Sequence, residues 1–277
     1  MNKDELQSEA EVETSGYAED VDVSDNVDFG APRVRLKWFT PNGDKLVAHM
    51  ARVSNSKAVP DDPSEKLIAY LINHHHWSPF EMVNLCVEIH TERDISAQIL
   101  RHSKEFRFQE FSTRYAEVED LRWSTECRFQ DAKNKQGSFT IEERLAGYDD
   151  ETPTGMSAAN YDSDTVSYFD AVVNETRTRS LEAYRELLSR GVAKECARRI
   201  LPIGLMPTVM YINSNLRGWL HYISIRAQPS TQKEHRVLAV GAAEVLAQCF
   251  PLVYKAAFNE GMFSLQNGEA FDGVPSP

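Results

Sequence analysis

Polar and apolar residues alternate at the start of the foldable part of the chain. Val34, Leu36 and Trp38 interleave with Arg33, Arg35 and Lys37, which predicts a strand with one face turned to a core from near Pro32 onward. Pro41-Asn42-Gly43-Asp44 predicts a turn. Behind the breakers Pro60 and Pro63, Glu65 to His74 has the pattern of a short helix. Val83, Leu85, Val87 and Ile89 alternate again and predict a second strand. A helix is expected from Thr91 to about Lys104, with Thr91 or Asp94 near its start and Gln98 one turn from Arg101 on a shared face. Residues 137–165 are rich in Gly, Asp, Ser and Thr and predict a surface insertion. Val166 to Arg190 is helical in pattern, with Gly191 as its C-cap. After Leu201-Pro202, Asn215 to Ile225 and Thr231 to Phe250 predict two more helices around a break at Pro229. Strands early and helices late point to an α+β domain.

Composition changes this picture mainly at the N-terminus. The 277 residues are 42% hydrophobic and 26% charged, ordinary for a globular chain. Residues 1–28 hold ten carboxylates against the single Lys3, nine of the twelve net negative charges. Residues 1–30 are therefore expected to be a disordered acidic tail, 31–265 the folded domain, and 266–277 a flexible C-terminus. The acidity leaves room for a local cationic site in the remainder. No apolar run approaches the roughly 20 residues that cross a bilayer, and no basic-then-apolar leader opens the chain. A cytoplasmic location without membrane attachment is the expectation. Cys86, Cys127, Cys196 and Cys249 lack metal-ligand spacing and suit reduced thiols.

Candidate chemistry concentrates in Gln98 to Tyr115. There Arg101, His102, Ser103, Lys104, Arg107, Gln109, Glu110, Ser112, Thr113 and Arg114 are interleaved with Phe106, Phe108 and Phe111. Arginine forks and hydroxyls suit phosphate, and the rings suit stacking. Composition alone leaves this phosphate cradle level with a solvated helix face whose phenylalanines enter the core. Further cations gather at Lys194 to Arg199 and at Arg217, His221, Arg226, Lys233, His235 and Arg236. Arg226 at a helix end also suits a C-terminal dipole partner. Consecutive His74, His75 and His76 point in different directions, so no metal is expected there. Neither a dinucleotide fingerprint, a P-loop nor a GxSxG elbow is present.

Several blocks taken together resemble the flavin-dependent thymidylate synthases. They are Ala51-Arg52-Val53-Ser54-Asn55, His76-Trp77-Ser78-Pro79-Phe80-Glu81-Met82, Gln98-Ile99-Leu100-Arg101-His102 and Phe108 to Ala116. Gln130 to Gln136, Glu195-Cys196-Ala197-Arg198, Leu201-Pro202, Asn215-Leu216-Arg217, and Arg226 with Gln232-Lys233-Glu234-His235-Arg236 follow in the family's order. The resemblance implies a single domain with a mixed or antiparallel sheet packed by helices, assembled as a homotetramer with sites between subunits. It implies methylation of dUMP to dTMP with FAD as cofactor, NADPH as reductant and 5,10-methylenetetrahydrofolate as carbon donor, and no nucleic-acid partner. Carried over by position, Gln98, Arg101, Glu110, Ser112, Thr113, Arg114, Arg198 and Arg226 would bind dUMP, with Arg226 activating the uracil. His76, Ser78, Arg101, His102, Ser103, Glu110, Asn215, Arg217 and His221 would contact FAD.

The chain departs from the family pattern of Arg-His-Arg, seven residues, then Ser. Ser103 stands at the third position, and eleven positions instead of ten separate Arg101 from Ser112. Lys104 or Arg107 could supply the displaced charge. The departure keeps two further readings open: another C5-modified product such as hydroxymethyl-dUMP, and a catalytically weakened regulatory homologue.

Overall fold

The computed structural model describes residues 33–54, 64–122, 126–131, 133–146 and 158–259. The acidic N-terminal stretch, the C-terminal 266–277 and Asn55 lie outside them.

The expected first strand is present as β1 (Arg33–Phe39). The expected turn is shorter than anticipated and leads straight into a helix that the sequence did not announce, α1 (Gly43–Ala51). Asn42 takes a left-handed conformation, with φ 53°, to make that entry. Gly43 follows because a Cβ there would collide with the Phe250 ring and the Val83 side chain. α2 (Ser64–Asn73) matches the short helix, and a 3₁₀ turn, Ser78–Met82, leads into β2 (Asn84–Glu92).

β2 runs through Thr91, so the next helix starts later than expected. α3 spans only Arg93–Ile99 and tightens into a 3₁₀ turn, Leu100–His102. The reading of a helix to Lys104 is corrected by β3 (Arg107–Glu110), which begins after the turn at 103–105. β4 (Phe129–Gln130), β5 (Ser138–Phe139) and α4 (Ile141–Ala146) follow. The stretch from 137 thus contains a short hairpin strand and a helix. α5 (Ala158–Ser189) also starts eight residues before Val166, because the polar Ser163 and Asp164 there are exposed on a long helix. Gly191 ends the run with φ 81°, as its C-cap reading required.

After α6 (Lys194–Ala197) comes the largest surprise, β6 (Pro207–Asn215). It is a central strand, buried through Pro207–Met210, so its run of Val209, Met210 and Ile212 lacks the alternation that marks a half-exposed strand. The sheet order is β1-β2-β6-β3, and every pairing is antiparallel. α7 (Leu216–Arg226) continues directly from β6, and α8 (Lys233–Cys249) and α9 (Pro251–Tyr254) complete the fold.

Leu85, Val87 and Ile89 of β2 and Met210 and Ile212 of β6 share a core with Trp219, Leu220 and Ile223 of α7 and Leu238, Ala242 and Leu246 of α8. The Trp219 indole N–H donates to the Leu85 carbonyl at 2.9 Å, satisfying the one polar atom it brings inside. A second cluster, including Val118, Leu121, Leu181, Tyr184 and Leu201, seats α5. The fold is α+β, as expected.

Candidate active site

α7 is positioned by its junction with β6. Asn215 caps the helix, its Oδ1 accepting from the Gly218 N–H at 2.9 Å. Gly218 lets the helix approach Ser214, whose hydroxyl donates to the Glu105 carbonyl at 2.8 Å. One junction therefore ties α7 to the turn between α3 and β3.

At the far end of α7, the Arg226 Nε–H donates to His102 Nε2 at 3.0 Å. That bond requires a lone pair on Nε2, hence a neutral ring. Burial, then the positive charges of Arg226 and His221, push the His102 pKa down to about 4. Arg226 is half-buried and makes no other hydrogen bond or ion pair among the described residues, so both terminal nitrogens of its fork remain uncommitted. His102 packs edge-on against Tyr222, one turn before Arg226, with centroids 5.1 Å apart.

Tyr222 and His235 are fully buried. The tyrosine hydroxyl lies 3.2 Å from His235 Nε2, and His235 Nδ1 lies 3.2 Å from Gln98 Oε1. Gln98 in turn donates to Gln232 Oε1 at 2.8 Å. Burial, then Arg226 and His102, push the His235 pKa down to about 3. The sequence placed His235 in a cationic cluster; the structure makes it a neutral, interior histidine. Its role was missed because burial, which decides its charge, is a tertiary property. The only signal was its place inside Gln232–Arg236.

A second group assembles around Arg198, whose Nη1 donates to Thr113 Oγ1 at 2.7 Å. Arg114 reaches Glu195 at 3.2 Å with both side chains more than half exposed. Ser112 lies beside them, half-buried, its carbonyl accepting from the Tyr115 and Ala116 amides. In a third group, the exposed Arg217 pairs with Glu81, three residues after the exposed Ser78. His221, also exposed, stands 3.9 Å from Glu105. His76 is exposed and edge-on to Tyr70, and His74 stacks on the same tyrosine at 4.0 Å. Among the described residues, no three potential metal ligands converge.

Glu110 is engaged inside the fold. Its Oε1 accepts from Ser96 at 2.9 Å and Thr208 at 3.0 Å, and Arg93 stands 3.6 Å away. Arg101 and Lys104 are exposed and make no hydrogen bond or ion pair among the described residues. Arg107 spends its Nη1 on the carbonyls of Ser103 at 3.4 Å and Phe106 at 3.1 Å, so it clamps the turn at 103–105. Of the two candidates for the displaced cation, only Lys104 stands free.

An exposed ion pair is worth little, so an incoming anion can replace Glu195 on Arg114 or Glu81 on Arg217 at small cost. The described residues thus offer exchangeable or unpaired arginines in three groups, one of them holding the half-buried His102 and the buried His235, both neutral. No helix of the described residues is long and apolar enough to cross a membrane.

Residues 35–252 match the sequence profile of the thymidylate synthase complementing protein family. A probable flavin-dependent thymidylate synthase of Paramecium bursaria Chlorella virus 1 is 38% identical over 215 residues, 77% of this chain and 89% of that protein. The flavin-dependent thymidylate synthase of Synechocystis is 38% identical over 219 residues, covering 79% and 90%. A UMP/dUMP methylase from Streptomyces cacaoi, crystallised with 5-bromo-UMP, superposes with a TM-score of 0.64 at 23% identity, covering 82% of this chain and 94% of that one. That last likeness is one of fold.

Proposed function

The chain belongs to the thymidylate synthase complementing protein family, the flavin-dependent thymidylate synthases, and on that premise we propose that it methylates dUMP at C5 to give dTMP. FAD, NADPH and 5,10-methylenetetrahydrofolate are the proposed cofactor, reductant and carbon donor. The observation that carries the reading is Arg226. A guanidinium held through Nε by a neutral histidine, with no carboxylate partner among the described residues, has its fork free for an anion. Uracil C5 becomes nucleophilic only when negative charge develops in the ring. A fixed cation stabilises that charge without reorganising, and no cysteine has to add to the ring.

In this reading Arg198, Arg114 and Arg101 hold the nucleotide phosphate. Thr113 keeps Arg198 aimed, and the exposed Arg114 exchanges Glu195 for the ligand. Gln98 and Arg226 hold the base. The unpaired Arg101 and Lys104, with Arg217 and His221 on one side of α7, fit an anionic dinucleotide such as FAD. The hydride chemistry belongs to FAD when bound, since no side chain supplies it. Tetrameric assembly is the proposed means of bringing the three groups against one another. Large apolar side chains left outside, Tyr115 at 76% exposure and Met82 at 59%, support it.

The test is product analysis. Protein purified with flavin is expected to bleach on addition of NADPH, and incubation with dUMP and methylenetetrahydrofolate to yield dTMP by mass. Recovery of 5-hydroxymethyl-dUMP in its place would move the assignment to the alternative product. Protein that stays colourless with added FAD would remove the flavin reading.

A further inference from the structure

The amide and imidazole groups behind Gln98 are ordered by an end that can only accept. Glu234 is held ionised: burial opposes its charge, but hydrogen bonds and charge from Arg128 outweigh it and keep the carboxyl below its usual range. Arg128 engages both carboxylate oxygens, at 2.7 and 2.8 Å. Two residues before it, the Gln232 carboxamide oxygen accepts from the Gln98 amide N–H at 2.8 Å. That donation turns the Gln98 oxygen to His235. An amide oxygen only accepts, so His235 carries its proton on Nδ1. Its Nε2 is left to accept from the Tyr222 hydroxyl. Each bond fixes the direction of the next.

We propose that His235 is a positioning residue for the nucleotide. As part of a hydrogen-bond run directed from Gln232 to Tyr222, it locks the Gln98 carboxamide in one orientation, with one N–H left for an acceptor oxygen of the ligand. This rests on the dUMP reading above, in which Gln98 contacts the base. Tyr222 joins the two halves of the site. Its ring supports His102, which holds Arg226, and its hydroxyl donates to Nε2 of His235, which holds Gln98. Two neutral histidines on one buried tyrosine thus aim the two side chains proposed to meet the base.

The variants His235→Leu and His235→Asn separate positioning from packing. Asparagine keeps an amide N–H near the place of Nδ1; leucine keeps volume and removes the donor. Dissociation constants for dUMP are measured by calorimetry on the flavin-loaded protein. His235→Leu is expected to weaken dUMP binding about tenfold, the effect of freeing one hydrogen-bonded ligand contact. His235→Asn is expected to stay within about threefold of the parent. His235→Leu combined with Gln98→Leu is expected to be no weaker than Gln98→Leu alone, because the two act through one contact. A merely structural histidine would lower the melting temperature in both variants and leave the affinity of the folded protein unchanged. That result, equal weakening by Leu and Asn, or independent losses in the double variant would each overturn the proposal. The ring tautomer gives a ligand-free arm: ¹⁵N shifts should place the His235 proton on Nδ1, and a proton on Nε2 overturns the directed run. If the parent binds no dUMP, the proposed function fails, and the tautomer still decides the run.

Discussion

Arg226 sits where two opposite readings of a helix-terminal arginine meet, dipole partner and substrate cation. We propose the second, on the ground that its one hydrogen bond among the described residues goes to an uncharged ring. Arg226→Ala is expected to lower kcat per bound flavin by about 100-fold or more, the scale of removing a charge-stabilising donor. Absorbance of the purified variant should still report flavin near the parent's stoichiometry. Loss of flavin with turnover per holoenzyme intact would contradict the assignment. At this scale the sequence was informative about chemistry and silent about charge state. Arg101, Arg114, Arg198 and Arg226 were legible as cations, and their roles came from resemblance. His102 and His235 could not be read as neutral, since burial beside Arg226 makes them so. Glu110 was read as a ligand contact from the resemblance, and bonds from Ser96 and Thr208 to its Oε1, which hold the carboxylate in place, were not legible.

Between β6 and α7 the chain passes from the sheet centre to the site without a loop, and the contact that permits this is Gly218 against Ser214. Gly218→Ala would push the Ser214 hydroxyl off the Glu105 carbonyl. The expected cost is about 1–3 kcal/mol, read as a lower denaturation midpoint. Weaker flavin binding should accompany it, because the displaced turn carries Lys104 and follows directly on the 3₁₀ turn of Arg101. A midpoint equal to the parent's would show that the junction relaxes freely. Arg107→Ala should release the turn it clamps, raising amide hydrogen exchange at 103–106. Unchanged exchange there would remove that role. Elements with one wet face were readable: β1 showed its alternation, and α2, α7 and α8 kept their periods. β6 was not, because it opens on Pro207 and is buried at every position through Met210, so Val209 and Met210 stand together without alternation. α1 hid behind turn residues, since Asn42 and Gly43 serve a helix entry as well as a hairpin.

The whole molecule should register its two neutral histidines as acid sensitivity. An unfolded chain protonates both near pH 6.5, whereas the folded one resists until about pH 4 at His102 and about 3 at His235. Their contribution is therefore complete above pH 6.5 and drains away as pH falls through that window. Glu88, held at about 2 against its own burial by Lys37 and His90, contributes above pH 4.5 and loses its share only as pH drops toward 2. Burial raises Glu92 and Asp94, which act in the opposite sense. The difference between parent and His235→Leu isolates the histidine: the drop in melting temperature from pH 7.5 to 5 should be smaller in the variant. Equal drops would mean that His235 titrates alike in both states. β3, finally, lies at the sheet's rim, with β6 as its sole neighbour among the described residues. A central strand lengthened by one residue would have to slip against two partners and turn its side chains over. At the rim, a residue added in the turn at 103–105 need not disturb the register that sets Phe108 opposite Ile212. The margin of the sheet is thus where this catalyst can vary in length, and grafting longer turns between Ser103 and Glu105 offers a route to altered cofactor preference with the register intact.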